Sequence, residues 1–370
     1  SLERNLRRLS PMCKCAKKTL QWWSRFGLVT VNETLWRSSA VTYIRVLPDA
    51  IKVRSRRCSL PLQRGVCAFG LEESFEKASV SVIEHYGFEL PLSAVAGVTR
   101  KNAGRIARSQ RQRAHNCSAL PSLGAEELVA EADGSFIRIV STDDSNGDAR
   151  KTRKVDYREA RLCASAAKGV NRTYYDATFD SVDSVATLWA QTAKLAGMSM
   201  QSHIHVLADG AVWIDTQRRV AFGDQGELLI DLYHVLEYLG EAAASCSSKT
   251  IRWLKTQKKR LKAGRSDKVI TELKKHLEPA TEPDELCPVR RAWRYLDNRR
   301  DYLAYDQAIK KELPLGSGLI ESGNKHVLQA RMKIPGASWN IETAEDFAKA
   351  RALRANKLWN QYWEDLKEVA

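Results

Sequence analysis

Between Leu71 and Gln112 the apolar positions recur every three to four residues, with Phe75, Ala78, Val82 and Ile83 on one stripe, and this spacing predicts helix. Pro91 predicts the start of a second helix ending near Gly97, and Thr99 is a natural N-cap for a third. LPLSAVAGVTRKNAGRIARSQRQR therefore reads as helix, Gly-containing turn, helix, the pattern of a helix-turn-helix. Its last helix would present Arg100, Lys101, Arg105 and Arg108. An ordinary pair of surface helices has the same pattern. Upstream, β-branched and aromatic runs predict strands over 40–46 and 50–53 in a small mixed module.

Past residue 130 the period changes. Strands are predicted at 136–140, 161–166 and 172–176, an amphipathic helix over 182–196, then a buried strand at 203–208 and another at 228–232 leading into the helix VLEYLGEAAA. Three strands, then a helix, a strand, a helix and a strand predict an α/β core: a mixed sheet with flanking helices. Residues 246–313 carry Lys, Arg, Glu and Leu at helical spacing with almost no strand signal, and read as an all-helical insertion. After Pro314 a Gly-rich turn opens a helix carrying Glu321, and a last helix is expected over about 342–366. The expected organisation is 1–68 mixed module, 69–115 helix-turn-helix-like DNA-binding region, 116–130 linker, 131–245 first part of the core, 246–313 insertion and 314–370 C-terminal core helices.

A chain of 370 residues exceeds what one core usually serves, in keeping with that division. No apolar stretch of bilayer length and no secretory leader is evident, so the expectation is a soluble cytoplasmic protein, nucleoid-associated, without a membrane partner. The net charge of +15 changes the picture more. Six Lys/Arg without an acid lie between Arg100 and His115, and seven between Lys249 and Lys262, and such clustering favours phosphate contacts over dispersed solubilising charge. Trp253, Lys258, Lys259 and Arg260 in the second cluster are candidate DNA contacts, with Trp253 either stacking on a base or filling a core. Eight Cys are spread irregularly. Cys13, Cys15, Cys58 and Cys67 could offer four thiolates to zinc, but their spacing is poor for a ribbon and ordinary reduced thiols are expected.

Three acids stand beside glycines at the ends of expected elements: Asp133 in EADGSFIRI, Asp209 in VLADGAVWI and Glu321 in LGSGLIESGNK. Asp-Gly alone is a common turn. An Asp beside the first strand and another at the carboxyl end of a central strand can nevertheless meet at one sheet edge, with Gly134 and Gly210 leaving room for a bulky substrate backbone. Three carboxylates suit two hard cations, which stabilise the entering and leaving oxygens of a phosphodiester reaction.

LPLGSGLIESGNKHVLQARMK followed by PGASW resembles the Gly-Ser-Gly, Glu-Ser, Arg-Met-Lys and terminal Trp signature of the Kra group of bacterial insertion-sequence transposases. ADGSF and LADGAVWI resemble that group's two Asp motifs, and LLIDLYHVLEYL its Asp-x-Tyr-His-Val segment, over about residues 131–340. Gly323 departs from a more usual Ala, and Ala337-Ser338 from a Met-Arg pair. The resemblance implies an RNase-H-like catalytic domain in which Asp133, Asp209 and Glu321 hold two Mg²⁺ or Mn²⁺ ions. Asp231 and His234 also resemble the acid-x-x-His motif that follows the second Asp in hAT and Mutator transposases, which implies an accessory role near the active site; they are otherwise a capping Asp and a packed His. Lys325, Arg331 and Lys333 on the Glu321 helix are further candidates for phosphate contact. The implied activity is cleavage and strand transfer at the ends of a mobile element, on terminal inverted repeats and target DNA, by a homodimer or larger oligomer. A domesticated DNA-binding regulator and another RNase-H-like nuclease are the alternatives.

Overall fold

The computed structural model describes residues 12–38, 43–45, 57–115, 119–142 and 152–369. The chain divides into two compact units, Ser1–Arg108 with Lys357–Ala370, and Ser109–Asn356. Among the described residues no helix is long and apolar enough to cross a membrane.

The first unit opens with two long antiparallel strands, β1 (Met12–Ser24) and β2 (Gly27–Ser38), that turn at Arg25-Phe26. With β3 (Tyr43–Arg45) and β4 (Arg57–Cys58) they form a sheet of order β3-β2-β1-β4. The strand expected over 40–46 is realised at Tyr43–Arg45, while 50–53 lies outside the described residues. The hairpin itself carries a weak pattern, because Lys14, Lys17 and Lys18 are exposed and few of its apolar side chains, such as Leu20, Leu35 and Trp36, are buried. Three helices follow: α1 (Leu60–Glu72), α2 (Phe75–Tyr86) and α3 (Leu92–His115). Leu62, Val66, Ala78, Val82, Leu90 and Val95 make their common core, and the C-terminal helix Trp359–Val369 belongs to the same unit.

Two expectations fail here. Residues 92–115 form one helix with no turn at Gly97, and Thr99 is not a cap but a buried residue whose Oγ1 donates to the Val95 carbonyl at 2.8 Å. Burial of Val95, Ala96, Thr99, Ala103, Ile106 and Ala107 along one stripe carries the helix through the glycine, a tertiary effect that outweighs local propensity. The turn falls instead at Gly87, in the left-handed region at φ +73°. The long C-terminal helix is likewise two, Ile341–Ala355 and Trp359–Val369.

The second unit is built on five strands, β5 (Glu127–Ser141), β6 (Lys154–Ala167), β7 (Thr173–Thr178), β8 (His203–Ala208) and β9 (Gly226–Ile230), in the order β7-β6-β5-β8-β9. The first three pair antiparallel, and β8 and β9 run parallel to β5. The crossovers are α4 (Val185–Leu195) and α5 (Val212–Phe222), and α6 (Leu232–Cys246) follows β9. The expected α/β class with a mixed sheet is thus observed, although β5 begins inside the segment expected to be linker. Residues 246–313 contain, among those described, only helical elements, chiefly α7 (Thr250–Lys262), α8 (Ser266–Lys274), α9 (Pro288–Asp297) and α10 (Tyr305–Lys310). The chain then returns to the sheet through α11 (Gly318–Gly323), a π-helical turn (Asn324–Gln329) and α12 (Ile341–Ala355).

Candidate active site

Strand register brings the acids together. The last β5–β8 pair is Glu131 with Leu207, so Asp133 and Asp209 each lie two residues further along neighbouring parallel strands. The last β8–β9 pair is Ala208 with Ile230, which sets Asp231 next to Asp209 in the same row. The row lies where β8 and β9 end, the edge at which open sheets place their sites. Glu321, in the first turn of α11, completes a cleft of about 230 Å³ lined also by Tyr233, His234, Glu237 and Ser317.

Each acid is held differently. Asp133 accepts from Gly134 N and Asn324 Nδ2, both at 2.7 Å. Burial pushes its carboxyl above the usual range, with the charges of Asp209 and Glu159 adding to the shift and those hydrogen bonds opposing it. Asp209 accepts from Ala211 N at 2.9 Å. Its own carbonyl takes the Tyr295 hydroxyl at 2.5 Å, and the next carbonyl, of Gly210, takes Arg299 Nη2 at 2.7 Å. The helical insertion therefore grips the Asp209-Gly210 turn. Gly210 has φ +84° and a Cβ there would lie 2.2 Å from Arg299 Nε, so conformation and this packing demand the glycine, rather than an approaching substrate. At Gly134 the space is taken by the Glu159 carboxylate. At Gly323 a Cβ would meet the Tyr175 ring at 2.6 Å, so this close packing demands the glycine.

Asp231 caps α6, accepting from Tyr233 N at 2.6 Å, and its other oxygen accepts from Ser317 N at 2.8 Å and Ser317 Oγ at 2.5 Å. It thus ties α6 to the turn before Glu321. His234 pairs with Glu237 at 3.2 Å and stands edge-on to Tyr238 and Tyr295, which stack with centroids 4.1 Å apart.

The donor chemistry of Asp133, Asp209 and Glu321, all carboxylate oxygen, fits a hard divalent cation. Two observations bear on that fit. Asn324, against Asp133, keeps a buried Oδ1 without a hydrogen-bond partner. Among the described residues, however, no three His, Cys, Asp or Glu side chains are gathered closely enough to hold a metal ion, so the three carboxylates share a cleft without converging. For the thiol set, Cys15 is exposed and Cys67 buried, and the Cys13 side chain lies outside the described residues.

The basic candidates separate by burial. Arg100, Lys101 and Arg108 on α3 are exposed and Arg105 is half-buried, with Arg100 over the Phe75 ring. Lys259, Lys325 and Lys333 are exposed, whereas Arg260 is half-buried and donates to Gln257. Arg331 is corrected: it is 3% exposed, with its guanidinium over Trp339 and Phe347, and is a packing residue rather than a DNA contact. Trp253 is corrected as well, because at 9% exposure it fills the core under α7 and cannot stack on a base. Tyr233, lining the cleft, is an exposed ring at 61%, with Lys258 Nζ 5.5 Å from its centroid.

Glu131, Asn324, Tyr295 and Arg299 support the acids without being among the residues expected from the sequence. Only Glu131 left a local signal, as a charged residue within an otherwise buried strand pattern. Burial pushes its carboxyl up to about 8, against a hydrogen bond from Ile320 N and together with the charges of Asp231 and Glu321.

No curated protein matches the chain. The model of an uncharacterised protein family, UPF0236, matches residues 7–364, nearly the whole sequence. The chain therefore belongs to the uncharacterised protein family UPF0236.

Proposed function

We propose that this chain is a DNA transposase of the acidic-triad type, with an RNase-H-like catalytic core, that cuts at the ends of a mobile element and joins them to target DNA. The observation that carries the reading is that Asp133, Asp209 and Glu321, far apart in sequence, line one cleft at the carboxyl edge of parallel strands. The succession of three antiparallel strands, helix, strand, helix, strand supports the RNase-H-like assignment, as does the helical interval before Glu321. Asp133, Asp209 and Glu321 would hold two Mg²⁺ or Mn²⁺ ions, which supply positive charge to the entering and leaving oxygens of the phosphodiester. Asn324 and the Gly134 amide orient Asp133, while Tyr295 and Arg299 fix the backbone on which Asp209 stands. Lys258, Lys259 and Lys325 would meet phosphates beside the cleft, and Arg100, Lys101, Arg105 and Arg108 duplex DNA on the first unit.

The test is strand cleavage of an element-end duplex in Mg²⁺ or Mn²⁺, compared with DNA binding in EDTA. Asp133→Asn, Asp209→Asn and Glu321→Gln should each lose more than about 100-fold in cleavage, beyond the range of changes around a metal's ligands, and keep binding. Asp231→Asn should be milder, because its oxygens are engaged by Ser317 and the start of α6. Parental cleavage by Glu321→Gln would overturn the assignment.

A further inference from the structure

The segment bearing Glu321 begins as a helix of six residues whose N-cap, Ser317, makes no side-chain cap bond. The helix runs on without a break through Asn324–Gln329 and Ala330–Met332, but the N–H groups of its first turn have no partners within it and need them from elsewhere. One comes from β5. Glu131, 1% exposed, accepts from Ile320 N at 2.7 Å, one residue before Glu321. It stands two residues before Asp133 and so on the same face of the strand. It does not line the cleft. The strand that bears the first acid thus also anchors, through a buried side chain, the turn that bears the third.

We infer that Glu131 is a positioning residue of the acid cluster, setting through its hydrogen bond to Ile320 N the place of Glu321 relative to Asp133. Asp231 fixes the same turn three residues earlier through Ser317, so the turn is pinned at two points and rotation about either is blocked by the other. Glu131 needs only an acceptor oxygen for this task, whereas a ligand would need a charge. This role rests on the reading of the three acids as a metal-holding set, and it is tested without catalysis.

The experiment titrates the full chain with Mn²⁺ and follows free Mn²⁺ by electron paramagnetic resonance, with Asp209→Asn to identify binding at the cleft and thermal unfolding in EDTA to check folding. Glu131→Met fills the buried volume but offers no acceptor, and should raise the half-saturating Mn²⁺ concentration about 10–100-fold, the effect typical of removing a group that orients a ligand. Glu131→Gln keeps the acceptor and should bind as the parent does. Should the Met variant not fold, Glu131→Asp, which withdraws the oxygen by one methylene, should weaken Mn²⁺ in the same direction. Parental Mn²⁺ affinity in the folded Met variant, or a Gln variant as weak as Met, overturns the inference and leaves the transposase reading standing. A parent that binds Mn²⁺ through Asp209 yet leaves element-end DNA uncut overturns the transposase reading and leaves the positioning role intact. A parent that binds no Mn²⁺ overturns the positioning role.

Discussion

Asp209 shows how one residue divides its work between side chain and backbone. Its carboxylate faces the cleft, while its carbonyl and that of Gly210 are held by Tyr295 and Arg299 from α9 and the turn after it. Replacing Arg299 by Met removes two hydrogen bonds to Gly210 and the stacking on Tyr295, 4.1 Å away, without touching the cleft. Cleavage should fall about 10–100-fold with DNA binding in EDTA unchanged, and equal cleavage by parent and variant would remove this support from the account. His205 gives a residue-scale prediction about stability. Its buried ring stands 2.9 Å from the Pro314 carbonyl through Nε2. Burial lowers its folded value below 6.5, a shift to which His203 adds and which the Pro314 bond, Glu227 and Glu127 oppose. The unfolded chain therefore takes up the proton first, so this stabilisation is present above about pH 6.5 and is lost as pH falls. Urea midpoints at pH 7.5 and 5.5 should differ less in His205→Gln than in the parent, and identical acid losses in both would show that His205 does not contribute.

At the scale of elements, α3 and α12 carry the sharper expectations. On α3, Lys101, Arg105 and Arg108 share a face opposite the buried stripe of Ala103, Ile106 and Ala107. If that face meets duplex DNA, Arg105→Ala with Arg108→Ala weakens binding and flattens the log–log salt dependence by about one unit for each phosphate no longer neutralised. A slope equal to the parent's would separate α3 from the DNA. On α12, Lys349 is buried and donates to Asp176 Oδ1 at 3.2 Å and the Ala177 carbonyl at 3.0 Å, with Glu345 at 3.5 Å. Lys349→Met leaves the buried Asp176 carboxylate without its cation and Glu345 with only the more distant Arg111, at 3.8 Å, and should cost about 3–5 kcal/mol in urea unfolding. A loss below about 1 kcal/mol, the size of an exposed pair, would mean that water already reaches the cluster.

At the scale of the whole molecule, the surplus of 15 positive charges supports the DNA partner proposed above, and its densest clusters fall on α3 and α7. The proposed joining of two element ends would bring two active sites together. Light scattering on the complex with element-end duplexes should accordingly give at least two chains per pair of ends, and a saturated complex of one chain on one duplex would count against end synapsis. Family membership over residues 7–364 means that both units belong to the unit of descent, so the test uses the full chain.

What could be read from sequence is what depends on neighbours along the chain. The 3.6 and 2.0 periods marked out the order of elements from β5 to α6 and the helical insertion, because a stripe or an alternation is visible within a dozen residues. The acidic motifs stood out for the same reason. The hairpin of β1 and β2 did not, since exposed lysines dilute its alternation, and the helix through Gly97 reads as broken because its stabilising contacts come from α1 and α2. Tertiary structure alone decided which side chains stand behind the acids. Glu131 meets Ile320 across 189 positions, Asn324 meets Asp133 across 191, and Arg331 and Trp253 turn inward. Strand register and burial set those contacts, and both are properties of the packed sheet, not of any stretch of sequence.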